Sequence, residues 1–167
     1  MKPHILKLSL VVFLSFVLFS CSKEDDGIYL NQTAEVVNKN VTYSKIENDI
    51  LDLVNAHRTS LGLSTLSKLN VVSGVADGHT EYMIETGTIS HDNFDERAQE
   101  LMNNAGAKSV AENVAYGYTT AESVVNGWLN SPEHKAIIEN PNFTHFGIST
   151  EANSDGRNFF TQMFIKK

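Results

Sequence analysis

The sequence is poor in cysteine, the residue that many exported domains use for cross-links. Cys21 is the only cysteine, so no intramolecular disulfide can form and the fold must rely on its core. With 167 residues and 41% hydrophobic composition, the chain can bury one core of reasonable size. We therefore expect a single globular domain without a disulfide framework.

Short catalytic motifs are missing as well. The sequence has no HExxH or CxxC spacing for zinc, no GxSxG nucleophile turn and no GxxxxGKS/T phosphate loop. It also has no internal repeat and no low-complexity segment. The enzyme classes that these local motifs identify therefore have no support in the sequence.

Positive charge is scarce. The formal charge is −7, from 13 Lys and Arg against 20 Asp and Glu. Residues 1–20 hold two of the lysines and no acidic residue, so their removal would lower the formal charge to −9. A surface of this sign repels phosphate backbones, and we expect no nucleic-acid partner.

The longest apolar run lies at the N-terminus. Lys2 and Lys7 lead into LSLVVFLSFVLF (8–19), a pattern typical of a signal peptide and too short to span a bilayer core of ~30 Å comfortably. The sequence LFSC (18–21) then resembles a bacterial lipobox, in which the cysteine is acylated and becomes the new N-terminus. The alternative is a plain secretory signal followed by an incidental cysteine.

These features predict a signal peptide over 1–20, a lipid on Cys21 and a polar tether over 21–43. The protein is then expected in the cell envelope, with the membrane as its partner through the lipid. The acidic start of the tether, SKEDD (22–26), resembles export signals of some Gram-negative lipoproteins. It favours the outer membrane and exposure at the cell surface.

Hydrophobic periodicity predicts four helices and a C-terminal hairpin. Ser44 and Glu47 have the spacing of a capping box, and further helices are predicted over 68–85, 95–105 and from Thr119 to Pro132. Strands are predicted over 144–150 and 158–165, around the turn-forming residues 153–156. The inward faces are predicted to hold Ile46, Ile50, Val54, His57 and Leu61 in the first helix, Val72, Val75, Ala76, His79 and Met83 in the second, Ala98, Leu101, Met102 and Ala105 in the third, and Val124, Val125, Trp128 and Leu129 in the fourth. Four helices with few strands predict an α+β domain over 44–167.

The histidines divide into two groups. His57 and His79 lie on apolar helix faces, where a histidine is usually a core residue with one satisfied nitrogen, and we leave both out of the candidate site. His91 and His134 follow helix ends, where irregular chain can present a side chain to solvent. If these two imidazoles converge, they could hold a divalent cation such as zinc.

Five separated segments together resemble one family. LVNAHR (53–58), SHDNF (90–94), AENVA (111–115), WLNSPEH (128–134) and FTQMF (160–164) are similar, in order, to motifs of the CAP superfamily. This family comprises the cysteine-rich secretory, antigen 5 and pathogenesis-related 1 proteins. The chain resembles its short bacterial branch, here in the form of a lipoprotein.

The resemblance implies a single three-layer α-β-α sandwich with a large cleft, in which two histidines and two glutamates of the family hold a metal ion. His91 and His134 match the two histidines, and Glu112 matches the first glutamate. Ser131 stands where the second glutamate is expected, which removes one charge from the site and weakens both metal binding and hydrolysis.

Three functions remain open from the sequence. The first is a non-catalytic cleft around His91, Glu112, Ser131 and His134 that binds an unknown ligand or envelope partner. The second is a metal-dependent hydrolase in which Glu112 is the candidate catalytic residue and positions or deprotonates a water. The third is a lipid or sterol carrier. The missing glutamate favours the non-catalytic cleft over an enzyme.

Overall fold

The computed structural model describes residues 41–167. The predicted signal peptide over 1–20, the lipidated Cys21 and nearly all of the tether over 21–43 lie outside the described residues. Within 41–167 no helix is long and apolar enough to cross a membrane. The elements, in chain order, are α1 (Lys45–Ser60), β1 (Ser67–Lys68), α2 (Asn70–Thr86), α3 (Phe94–Ala105), β2 (Ser109–Tyr116), α4 (Ala121–Asn130), α5 (Pro132–Ile138), β3 (His145–Ala152) and β4 (Asn158–Lys166).

The strands form one sheet in the order β1-β3-β4-β2. The predicted C-terminal hairpin is confirmed, since β3 and β4 pair antiparallel from His145 opposite Ile165 to Ala152 opposite Asn158. Strand β2 pairs antiparallel with the other side of β4, and the short β1 runs parallel to β3. One side of β2 is therefore an edge of the sheet, which becomes important for the candidate site.

Helices cover both faces of the sheet, which confirms the α+β sandwich. Strand β4 shows the arrangement best, because its alternate side chains enter two separate clusters. Phe160 and Phe164 pack with α1, α4 and α5, whereas Met163 and Ile165 pack with α2 and α3. The sheet is thus the middle layer of three, as the family resemblance implies.

The predicted capping box of α1 is confirmed. Ser44 Oγ accepts a hydrogen bond from the Glu47 amide, and Glu47 Oε2 accepts one of 2.8 Å from the Ser44 amide. Glu47 Oε1 also accepts a hydrogen bond of 2.9 Å from the Thr150 amide. The same carboxylate therefore starts α1 and fixes it to β3.

Four details of the predicted helix faces and boundaries are wrong. Leu61 and Met102 are exposed, and His57 is half-buried on the protein surface, where it shares a hydrogen bond of 2.8 Å with Glu139. The N-cap of α4 is Thr120, whose partner in the capping box is Ser123, so the cap lies one residue later than the predicted Thr119. The predicted end of this helix near Pro132 is confirmed, since α4 ends at Asn130, and Pro132 opens the next helix, α5, where the first turn does not need the N–H that proline lacks.

Arg58 takes the inward position that His57 was expected to fill in α1. Its side chain is completely buried, and its nitrogens donate to three backbone carbonyls, those of Ser64 at 2.9 Å, Ile138 at 2.6 Å and Asn140 at 3.0 Å. Backbone oxygens that would otherwise be buried without a donor are satisfied in this way. Arg58 thereby joins α1 to the loop after it and to the end of α5.

Helix α2 lies very close to β3. A Cβ atom added at Gly147 would lie 2.4 Å from the Val72 carbonyl carbon and 2.5 Å from the Ser73 amide nitrogen. Ser73 Oγ accepts a hydrogen bond of 3.1 Å from the Ile148 amide. Only glycine at position 147 permits this contact, which positions α2 and the loop that follows it.

Candidate functional site

A buried carboxylate lies at the centre of the candidate site. The side chain of Glu112, on the edge strand β2, is only 1% exposed. Glu112 pairs with Met163 of β4, so it points toward α2 and α3. There Glu112 Oε2 accepts a hydrogen bond from Arg97 Nε and Oε1 accepts one from Arg97 Nη2, both of 2.8 Å. This two-pronged ion pair is the strong geometry for arginine and carboxylate.

His91 completes the environment of that carboxylate. Its Nδ1 lies 2.8 Å from Glu112 Oε1, while 52% of the His91 side chain is exposed. Burial alone would raise the pKa of Glu112, but hydrogen bonds from His91 and Arg97, together with the arginine charge, lower it below its usual value. Glu112 is therefore ionised at neutral pH and accepts the Nδ1 proton of His91. The free Nε2 of His91 is left as the nitrogen available to a ligand.

The loop before α3 holds His91 in place. Arg97 Nη1 donates a hydrogen bond of 2.6 Å to the Asp92 carbonyl, and the Phe94 amide donates one of 3.2 Å to the His91 carbonyl. Asn93 has a φ of 58°, in the left-handed region that asparagine tolerates better than most residues. The chain therefore turns sharply between His91 and α3, and Arg97 fixes both sides of the turn.

His79 lies next to the candidate site, and the sequence did not indicate this position. Its expected core role is confirmed, since it is 2% exposed and its Nε2 donates a hydrogen bond of 2.8 Å to the Ser90 carbonyl. The same Nε2 lies 3.7 Å from Glu112 Oε1. Burial lowers the pKa of His79, so the ring is neutral beside the carboxylate. Only the three-dimensional contact shows this role, because no motif links residues 79 and 112.

Ser131 and His134 form a second pair, at the start of α5. Ser131 Oγ and His134 Nδ1 share a hydrogen bond of 2.7 Å. Asn113, the residue after Glu112, donates a hydrogen bond of 3.4 Å to the His134 carbonyl from the opposite face of β2. Burial lowers the pKa of His134, and the Coulomb interaction with the nearby His91 lowers it further.

An apolar cleft follows the free edge of β2. It has a volume of about 310 Å³, and its walls are His91 and Phe94 on one side, Val110, Ala111 and Glu112 at the base, and Ile137 on the other side. Ile137 follows His134 by three residues in α5, so it is one turn away along the same helix side. The cleft therefore has one exposed imidazole among mainly apolar walls.

The donor atoms fit a tightly held metal ion poorly. Both Nδ1 atoms are engaged, by Glu112 and by Ser131, and the oxygens of Glu112 already accept three N–H groups. Among residues 41–167, no group of three or more His, Cys, Asp or Glu side chains is arranged to hold a metal. The two Nε2 atoms would be the protein ligands, whereas catalytic zinc sites usually have three.

Comparison with known proteins agrees with the fold and with the order of the motifs. Residues 51–164 match the sequence model of the cysteine-rich secretory protein family, CAP. The uncharacterized membrane protein YlbC of Bacillus subtilis is 34% identical over 126 residues, which are 72% of this chain and 34% of that protein. The uncharacterized protein YkwD of the same organism is 34% identical over 128 residues, 74% of this chain and 48% of its own length. This chain therefore spans one third to one half of these relatives.

Solved structures show the same architecture. An outer surface protein from Borrelia burgdorferi superposes with a TM-score of 0.69 at 24% identity, over 76% of this chain and 96% of that one. An extracellular protein with an SCP domain from Bacillus anthracis gives a TM-score of 0.62 at 30% identity, over 72% of this chain and 40% of that one. With the family match covering most of the residues from α1 to β4, the chain belongs to the cysteine-rich secretory protein (CAP) family.

Proposed function

We propose that this protein is a cell-envelope lipoprotein whose CAP domain binds a ligand or a partner protein in the cleft beside His91. The observation that carries the proposal is that the exposed imidazole of His91 is held by the buried ion pair of Glu112 and Arg97. Glu112, which is itself held by Arg97, fixes the His91 ring through a hydrogen bond to Nδ1. The ring forms part of an apolar cleft of about 310 Å³. A fixed polar group among apolar walls is the usual composition of a ligand site.

The ligand class follows from the groups that the cleft presents. Because the ionised Glu112 accepts the Nδ1 proton of His91, Nε2 is the ring nitrogen left for a polar group of the ligand. Phe94, Val110 and Ile137 offer apolar contact on the walls. The preferred ligand therefore places an apolar group in the cleft and a polar group beside Nε2 of His91.

The experiment is the recovery of compounds that co-purify with the protein from its own membranes. Wild type, His91→Ala and His145→Ala are purified in parallel, and extracted compounds are quantified by mass spectrometry. His145 is a matched control because it is a half-buried histidine at the start of β3. We expect a compound whose yield falls at least tenfold in His91→Ala but not in His145→Ala. Equal yields in all three proteins would refute binding beside His91.

The lipid anchor is a separate part of the proposal. Its support is the cysteine that ends the apolar N-terminal run, together with relatives described as a membrane protein and an outer surface protein. Cys21→Ala is expected to move the protein from the membrane fraction to the soluble fraction, whereas Ser22→Ala is not. Retention of Cys21→Ala in the membrane would refute lipidation, without bearing on the cleft.

The metal-dependent hydrolase is the second candidate, favoured by the hydrogen bonds that engage Nδ1 of both His91 and His134 and leave Nε2 of each ring for a metal ion. Zinc would be held by the Nε2 atoms of these two residues and would supply Lewis acidity if bound. Calorimetry with zinc chloride on wild type and on the His91→Ala/His134→Ala double variant tests it. Tight binding that is lost in the double variant, with turnover in a peptidase or esterase screen, would favour the hydrolase. A recovered lipid or sterol would instead favour a carrier.

A further inference from the structure

A second cavity lies between α2 and α3, with Arg97 of the buried ion pair in its lining. Its volume is about 320 Å³, similar to that of the cleft. Gly74 and Gly78 lie one turn apart on α2 and leave room on that wall. The polar and aromatic residues of its lining include His79, Tyr82, Arg97 and Glu100.

His79 presents an uncharged ring to this lining. Its Nε2 donates to the Ser90 carbonyl, and burial lowers its pKa, so the ring carries no charge that would repel a cation. Its Nδ1 has no hydrogen-bond partner within residues 41–167 but also has almost no exposed surface, so it is not the atom that a ligand in the cavity contacts.

The charges in the cavity indicate which kind of donor fits. The nitrogens Nε, Nη1 and Nη2 of Arg97 all donate within the protein, and its charge is balanced by Glu112. Glu100 is half-buried, and no ion pair among the described residues involves it. Burial raises the pKa of Glu100, so its charge lacks a compensating partner. The lining of the cavity therefore has one negative group without an ion-pair partner among the described residues.

An aromatic ring adds to this environment. The ring of Tyr82 stacks on His79, with centroids 5.8 Å apart and planes inclined by 15°. Ring faces attract cations and the apolar bodies that carry them. A compact ligand with N–H donors, positive charge and a small apolar body would match each of these features.

We propose that the cavity between α2 and α3 binds a small organic cation, a primary amine or an amidine, whose N–H groups pair with Glu100. This site is separate from the cleft, although His79 and Arg97 contact Glu112 and line the cavity. Its test needs no ligand in the cleft and is independent of the proposed function.

Calorimetry of the full chain in detergent tests the site with benzylamine and benzamidine, and with benzyl alcohol as a neutral match. Glu100→Gln removes the charge, and Glu85→Gln is the matched control because Glu85 is an exposed glutamate outside the lining, on α2. Gly78→Leu fills the cavity, since a Cβ added at Gly78 meets no atom within 4 Å. Circular dichroism checks that each variant is folded.

We expect saturable binding of both cations, a loss of at least tenfold in affinity in Glu100→Gln, no detectable binding in Gly78→Leu and less than a twofold change in Glu85→Gln. Benzyl alcohol is expected to bind at least tenfold more weakly than benzylamine. Absence of saturable binding by either cation would overturn the proposal. Equal affinity for the alcohol, or unchanged binding in folded Gly78→Leu, would overturn it equally.

Discussion

Arg97 and Glu112 contact each other through two hydrogen bonds of 2.8 Å, and both side chains are at least nine-tenths buried. A buried ion pair adds little net stability compared with apolar residues, but the removal of one partner leaves the other charged and buried. Glu112 of this pair also holds His91 through a hydrogen bond with its Nδ1. Loss of the pair should therefore affect both the stability of the domain and the position of the imidazole.

Glu112→Gln is expected to lower the free energy of unfolding by about 3 kcal/mol, because Arg97 keeps its charge without a carboxylate. Urea denaturation measures the change. Asp49→Asn is the control, since it removes an exposed carboxylate that pairs with Lys45 on α1, and its effect should stay below about 0.5 kcal/mol. A similar small effect in both variants would contradict the structural role of the buried pair.

Acid is expected to destabilise the protein through His79. Burial lowers the pKa of His79 below its ordinary value of 6.5, so the unfolded chain gains a proton there that the folded state excludes. The free energy of unfolding should fall as the pH drops below 6.5. Burial also lowers the pKa of His134 and His145, which act in the same direction. Glu112 adds a loss only below its ordinary value of 4.5, because its pKa is lowered in the folded state.

Urea midpoints at about pH 7.5 and about pH 5.5 measure this dependence. His79→Gln keeps an N–H donor for the Ser90 carbonyl but does not titrate, so its stability should change less between the two conditions. An unchanged difference in His79→Gln would assign the pH dependence to other groups.

Two glycines should respond to alanine in opposite directions. Gly78→Ala adds a Cβ to open space in the interior of α2 and is expected to stabilise by about 0.5–1 kcal/mol. Gly147→Ala places a Cβ 2.4 Å from the backbone of α2 and is expected to destabilise by about 1–3 kcal/mol or more. Thermal denaturation of both variants measures the signs. Tolerance of alanine at position 147 would mean that α2 can move away from β3.

Ser131→Glu should strengthen zinc binding. The substitution adds a carboxylate next to His134 at the position where the family motif has its second glutamate, and it supplies a third candidate ligand. We expect calorimetry to show at least about tenfold tighter zinc binding than in wild type, equivalent to ~1.4 kcal/mol. Ser131→Gln is the neutral control. Equal zinc affinity in both variants would show that the pairs His91–Glu112 and Ser131–His134 do not converge on one ion.

Local signals explain the elements that the sequence predicted correctly. The capping box at Ser44 and Glu47 starts α1, and the turn-forming residues 153–156 connect the hairpin. In each case neighbouring residues satisfy the backbone groups that define the element.

Strand β2 was not predicted because its central residues are Glu112 and Asn113, which are rare in strands. Both are buried because distant residues satisfy them, Arg97 for the glutamate and Gln162 with its hydrogen bond of 3.4 Å for the asparagine. Such compensation depends on the tertiary fold and leaves no local pattern. These two polar residues, one of which belongs to the candidate site, are therefore the reason why hydrophobic periodicity did not predict the strand.

The pairing of site residues could be predicted only in part. The family motifs indicated His91, Glu112, Ser131 and His134, and the structure joins them as two hydrogen-bonded pairs. Arg97 was not assigned to the site from the sequence, although it donates to both oxygens of Glu112. Buried charges require partners, so a predicted buried glutamate implies a nearby cation, but the sequence offers several candidates.

The buried Arg58 connects α1 to one side of the cleft. Through its hydrogen bonds to the Ile138 and Asn140 carbonyls, α1 sets the position of the helix that carries His134. His91 is instead held by α3 and β2, through Arg97 and Glu112. The two imidazoles are thus positioned by two separate sets of contacts. Substitutions in α1 around Arg58 are therefore expected to change the width of the cleft while the residues that line it stay the same.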